Sequence, residues 1–180
     1  MKIRIDHIKD KPYQLHVDEP VEVFPVLARM QADGACDFRG RITADIVVER
    51  EFDHLRASGR VQVPIGLSCS RCLVAYQSDI DSPFTIIFRK ESSRHSEVEE
   101  EIELCDDDLI SVVYSGEELD LSLEIEEQVA MEVPMKPLCD EGCKGLCPTC
   151  GTDLNNETCS CPGDNINLKF SALKDFKVSR

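Results

Sequence analysis

Tryptophan is absent from this 180-residue chain, and aromatic residues make up only 6% of it. A core here must rest on Val, Ile and Leu, which the 42% hydrophobic content supplies. No apolar run approaches the ~18 residues of a membrane span, so no membrane association is expected. The opening stretch MKIRIDHIKDK is charged throughout and offers no apolar segment for a signal peptide. The expected compartment is therefore the cytoplasm, where thiols stay reduced. Positive charge is scarce: 20 Lys and Arg stand against 35 Asp and Glu, a formal net charge of −15. Such a chain repels phosphate backbones unless its cations cluster. There is no G-x-G-x-x-G, no phosphate loop and no Ser/His/Asp context. His7, His16, His54 and His95 lack metal-ligand spacing to one another. The sequence therefore predicts neither catalysis nor a small-molecule substrate.

What is present is alternation and cysteine. Ile42, Ala44, Ile46 and Val48 share one face of an extended segment; Val61, Val63, Ile65 and Leu67 do the same, as do Phe84, Ile86 and Phe88. A period of two marks half-buried strands, so the centre of the chain reads as an antiparallel meander. YQLHV and VEVF are weaker strand candidates, and VVY at 112–114 is a short one before the Ser115-Gly116 turn. Pro64 lacks a donor for a ladder and predicts an edge position. Residues 119–133, LDLSLEIEEQVAMEV, read as one acidic helix with Asp120 or Ser122 at its start. Its stripe of Ile125, Val129 and Val133 faces the sheet, and Pro134 and Pro137 end it. Residues 97–108 carry eight acids in twelve positions and read as a solvated segment. The last twelve residues hold four Lys and Arg against one acid, a modest hint of nucleic-acid contact shared with Arg71 and Arg89-Lys90.

Ten cysteines remain. Cys147-Pro-Thr-Cys150-Gly151 is a C-x2-C knuckle whose glycine permits a tight return. Cys159 and Cys161 follow and can complete a four-thiolate site with metal–sulfur bonds of ~2.3 Å. Cys69-Ser-Arg-Cys72 is a second knuckle, and Cys139 and Cys143 form a C-x3-C pair after the helix. These four make a second candidate site; the alternative grouping faces Cys69 and Cys72 with Cys147 and Cys150. Cys36 and Cys105 are left as ordinary thiols. Neither C-x-x-C pair opens a helix after a strand, as a dithiol oxidoreductase requires. Tetrahedral thiolates accept zinc or iron, and zinc is the expectation for a structural site, at one or two ions per chain. Iron or a dithiol would instead give an electron-transfer or redox-sensing protein.

The phrases CSRCL at 69–73 and PLCDEGCKGLCPTCGTDLNNETCSC at 137–161 resemble the two signatures of the YceD family, whose members are known as large ribosomal RNA subunit accumulation proteins. On that resemblance Cys69 and Cys72 match the first pair. Cys139, Cys143, Cys147, Cys150, Cys159 and Cys161 match the tail set. The Asp-Pro-Arg that follows the last cysteines in many relatives is replaced here by GDNINLKF. The expected fold is α+β: a mainly antiparallel sheet or partly open barrel with one acidic helix (residues 1–136) and a small cysteine-rich zinc module (residues 137–180). The expected role is that of a non-enzymatic ribosome biogenesis factor supporting large-subunit ribosomal RNA accumulation or processing. Its partner would be a large-subunit pre-ribosomal particle or a basic ribosomal protein, with only weak direct contact to rRNA.

Overall fold

The computed structural model describes residues 1–8, 11–91 and 111–161. The acidic run at 97–108, Cys105, His95 and the basic C-terminal segment lie outside the described residues.

Period-two alternation becomes a long meander. Strands β4 (Ile42–Glu51), β5 (His54–Ser68) and β6 (Ala75–Lys90) are joined antiparallel in succession. The β5–β6 pairing runs unbroken from His54↔Arg89 to Ser68↔Ala75. Strand β2 (Tyr13–Glu19) flanks β4, and β7 (Ser111–Tyr114) flanks β6 on the other side. Among the described residues the order β2-β4-β5-β6-β7 leaves two free edges, so the sheet is open rather than a barrel. A short β3 (Asp37–Phe38) pairs with β5 beyond the end of β4. A separate two-stranded ladder joins β1 (Lys2–Arg4) to β8 (Glu118–Asp120).

One face of the sheet is the core. Ile42, Ala44, Ile46 and Val48 of β4 are buried, as are Val61, Val63, Ile65 and Leu67 of β5 and Phe84 and Phe88 of β6. Helices α1 (Pro25–Ala32) and α2 (Ser122–Glu132) cover it with Leu27, Ile125 and Val129, all fully buried. Burying a side chain of this size contributes roughly 1.5–3 kcal/mol. The expected apolar stripe of residues 119–133 thus packs on the core.

Five expectations need correction. Among the described residues there are two α-helices, not one: α1 begins with Pro25 at its first position, where the missing N–H costs nothing. VEVF is no strand, because Val21–Val23 form a 3-10 turn that feeds α1. Residues Glu118–Asp120 are strand β8, so the second helix starts only at Ser122. Pro64 sits in an interior strand, not at an edge. Its carbonyl accepts Arg39 N–H at 2.9 Å, so its missing donor faces the gap where the neighbour of β5 changes from β4 to β3. Finally, β7 joins β6 in parallel, whereas every other pairing among the described strands is antiparallel.

Candidate metal centres

The β5–β6 hairpin ends in the first knuckle. Cys69 N–H bonds to Val74 O at 2.9 Å and Leu73 N–H to Cys69 O at 2.9 Å. The chain can turn this way because Leu73 takes φ +62°. The second knuckle repeats the construction, with Cys147 N–H on Thr152 O at 2.8 Å and Gly151 N–H on Cys147 O at 2.9 Å. Here the positive φ, +77°, falls on a glycine. In both, the tight return aims backbone amides at the first sulfur; Arg71 N–H lies 3.4 Å from Cys69 Sγ.

After α2 the chain returns to the hairpin tip, where Ser70 N–H bonds to Pro137 O at 2.8 Å. This delivers Cys139 and Cys143 to the first knuckle. Cys69 Sγ and Cys143 Sγ stand 3.8 Å apart, and Cys72 Sγ and Cys139 Sγ 3.6 Å apart. With metal–sulfur bonds of ~2.3 Å, a tetrahedral site has sulfur–sulfur edges of ~3.8 Å. These distances are far too long for disulfides, and all nine described cysteines are free. Two groups of four therefore form: Cys69, Cys72, Cys139 and Cys143, the hairpin centre, and Cys147, Cys150, Cys159 and Cys161, the tail centre. Within each, the sulfurs lie within 4.8 Å of one another. The crossed grouping of Cys69 and Cys72 with Cys147 and Cys150 is not the one the fold makes. Cys36 is buried in the main core, and burial pushes its thiol up.

The electrostatics suit a cation. Backbone amides of Cys139 and Cys72 hold Cys69 down at about 6, while the Cys72 thiol and burial push Cys139 up to about 12. In the tail, amides of Cys150 and Thr149 hold Cys147 at about 6, and the Cys150 thiol pushes Cys161 up to about 12. Thr152 also lowers Cys150, so the hairpin set draws Cys69 and the tail set Cys147 and Cys150 toward the thiolate form, while Cys139 and Cys161 resist further negative charge. A metal ion relieves that conflict, since thiolates and not thiols are its ligands. Either four-cysteine set can hold a metal ion, and with four protein thiolates a tetrahedral ion keeps no open position.

Two residues beside the sulfurs are not legible as ligands. The Arg71 guanidinium, which in sequence suggests a phosphate contact, donates through Nη1 to Cys143 O at 2.8 Å and Glu141 O at 3.3 Å. Asn155 donates through Nδ2 to Cys143 Sγ at 3.4 Å. In the sequence it lies in the polar DLNN stretch between the tail pairs, inside the second signature phrase, with nothing to mark it as a neighbour of Cys143. His16 and His54 sit far from both sets in the chain's tertiary pairing, beside Asp45 and Glu51/Asp53 respectively.

The family described as large ribosomal RNA subunit accumulation protein YceD matches residues 57–177, a span that holds all eight clustered cysteines. An uncharacterised protein of Mycobacterium tuberculosis is 32% identical over 123 residues, 68% of this chain and 56% of that protein. The Arabidopsis thaliana protein named large ribosomal RNA subunit accumulation protein YCED homolog 1, chloroplastic, is 29% identical over 156 residues, 76% of this chain and 48% of its own length. Its namesake in Zea mays is 27% identical over 154 residues, covering 71% of this chain and 51% of that protein. The chain thus spans about half the length of these curated relatives. No solved structure matches it. The extent of the family match, with both cysteine sets inside it, makes this chain a member of the YceD family.

Proposed function

We propose that the chain is a non-enzymatic ribosome biogenesis factor that supports accumulation or processing of large-subunit ribosomal RNA in the cytoplasm. The observation that carries this reading is the family match over residues 57–177, together with plant relatives named for rRNA accumulation. Zinc is the proposed occupant of both centres, held by Cys69, Cys72, Cys139 and Cys143 and by Cys147, Cys150, Cys159 and Cys161. Bound there, zinc supplies rigidity and folding energy rather than Lewis-acid chemistry, because no ligand position is open. In this reading residues 1–136 are the β-rich body and residues 137–180 the metal-binding tail.

The charge distribution supports a basic protein, or a pre-ribosomal particle bearing one, over bare RNA as partner. Several arginines on or beside the sheet are engaged by carboxylates: Arg39 with Asp37 at 2.8 Å, Arg56 with Glu51 at 2.9 Å and Arg60 with Asp81 at 2.7 Å. Two four-thiolate zinc centres would each add two negative charges to a chain already at −15. Phosphate contacts are accordingly few in this reading. Removing the gene and measuring large-subunit rRNA, alongside co-sedimentation of tagged protein with large-subunit precursors, tests the role. Unchanged rRNA with no co-sedimentation overturns it. Elemental analysis of protein purified without added metal tests the centres: two zincs per chain are expected, and iron would favour electron transfer instead.

A further inference from the structure

Asn155 belongs to the tail loop between Cys150 and Cys159, yet its side chain serves the hairpin centre. Nδ2 reaches Cys143 Sγ at 3.4 Å while Oδ1 accepts Lys144 N–H at 2.7 Å, so the amide brackets Cys143. Asp153 fixes that orientation by accepting Asn155 N–H at 3.0 Å and Nδ2 at 2.8 Å. The loop is tied in turn to the segment between the centres, through Leu154 N–H on Gly145 O at 3.0 Å and the Leu146–Asp153 bridge. Contacts also run the other way. Arg71, inside the first knuckle, accepts Leu146 N–H on its carbonyl at 3.1 Å, one residue before Cys147. Gly145, at φ +76°, lies so close that a Cβ would stand 3.0 Å from that carbonyl.

Resting on the metal reading above, we propose that the two centres are linked sites: metal at the tail centre raises the affinity of the hairpin centre, with Asn155 as the positioning residue. The loop that carries Asn155 is held by short hydrogen bonds such as Leu154 N–H on Gly145 O, and both its ends are anchored by the tail cysteines Cys147, Cys150, Cys159 and Cys161. Metal there fixes the loop before the hairpin centre fills, so the entropy of ordering Asn155 is already met. The amide then donates to the Cys143 sulfur and fixes its position, the work of a group that hydrogen-bonds a metal ligand. Linkage is reciprocal, so metal at the hairpin centre raises tail affinity by the same factor. Half-loaded chains are then scarce at limiting metal.

Full-length reduced, metal-free chain is titrated with Co2+, whose thiolate charge-transfer absorption reports each centre, and then with competing Zn2+. Wild type, Cys69→Ser, Cys150→Ser, Asn155→Ala and Asn155→Asp are compared; the aspartate variant keeps the side-chain size should alanine fail to fold. Wild type is expected to bind two ions in one cooperative step. Cys150→Ser should weaken the hairpin centre about 10- to 100-fold, and Asn155→Ala should keep two ions but separate the steps, weakening the hairpin one by a similar factor. The hairpin centre's charge-transfer band should also shift in the Asn155 variants, which loosened folding alone would not produce. Equal hairpin affinity in wild type, Cys150→Ser and the Asn155 variants overturns the linkage and leaves the centres standing. A wild-type chain that binds no metal overturns both.

Discussion

Glu126 on α2 caps α1 through Val26: its Oε1 accepts the Val26 N–H, and the Leu27 N–H at 3.4 Å. The first N–H groups of a helix have no partner within it, and here a buried carboxylate from another helix meets them. Glu126→Ala should lower stability by about 1–3 kcal/mol, while Glu126→Gln, which keeps an acceptor oxygen, should lose less. Urea unfolding of the metal-loaded chain measures the difference; equal losses for the two variants would mean that packing, not capping, dominates.

Asp120 is held at about 2, below its ordinary 3.8, chiefly by its hydrogen bond to the Met1 amino group at 2.7 Å, with Ser122 adding to it against an opposing effect of burial. A depressed carboxyl contributes stability that is fully present above the ordinary value and fades as pH falls through about 2. Asp120→Asn should therefore flatten that part of the acid limb between pH 4 and 2, read from stability against pH. Above that window the variant should sit at a constant offset from wild type.

Leu73 carries φ +62° with its side chain 69% exposed, so it bears backbone strain without packing in the core. Asparagine tolerates the left-handed region far better than leucine. Leu73→Asn should raise stability by roughly 0.5–1 kcal/mol and leave the metal count unchanged. Loss of stability would reveal a contact made by this leucine.

Replacing single cysteines should loosen different parts of the molecule. Cys69→Ser should remove one ion per chain and expose the Ser68–Ala75 end of the long hairpin to protease. Cys150→Ser should expose the tail first while the paired core of β4, β5 and β6 stays protected. Elemental analysis combined with limited proteolysis reads both effects. Identical protection patterns would contradict the assignment of these cysteines to separate centres.

The meander was legible because alternation in Ile42–Val48 and Val61–Leu67 reports a sheet buried on one face. The knuckles were legible because a C-x2-C turn is a local object. Which knuckle meets which pair was not, since Cys72 and Cys139 are brought together across 67 positions by the return of the chain after α2. Helix α1 is short, eight residues, and its cap lies 100 positions away in Glu126, so local pattern could not reveal it. The parallel pairing of β7 follows a connection of twenty residues, from Glu91 to Ile110, that carries no pairing signal of its own. Pro64 misled because a change of neighbour along one strand satisfies the same donor constraint as an edge.

The hairpin centre also sets an order of events during synthesis. Cys69 and Cys72 leave the ribosome with the β4–β6 meander, but Cys139 and Cys143 follow only after α2 has been made. Until then the knuckle is a half-site with two thiols and no closure. Metal captured at completion bridges a span of about 70 residues, and such a crosslink removes conformations mainly from the unfolded chain. Residues made after α2 are then the ones that lock the earlier-made sheet.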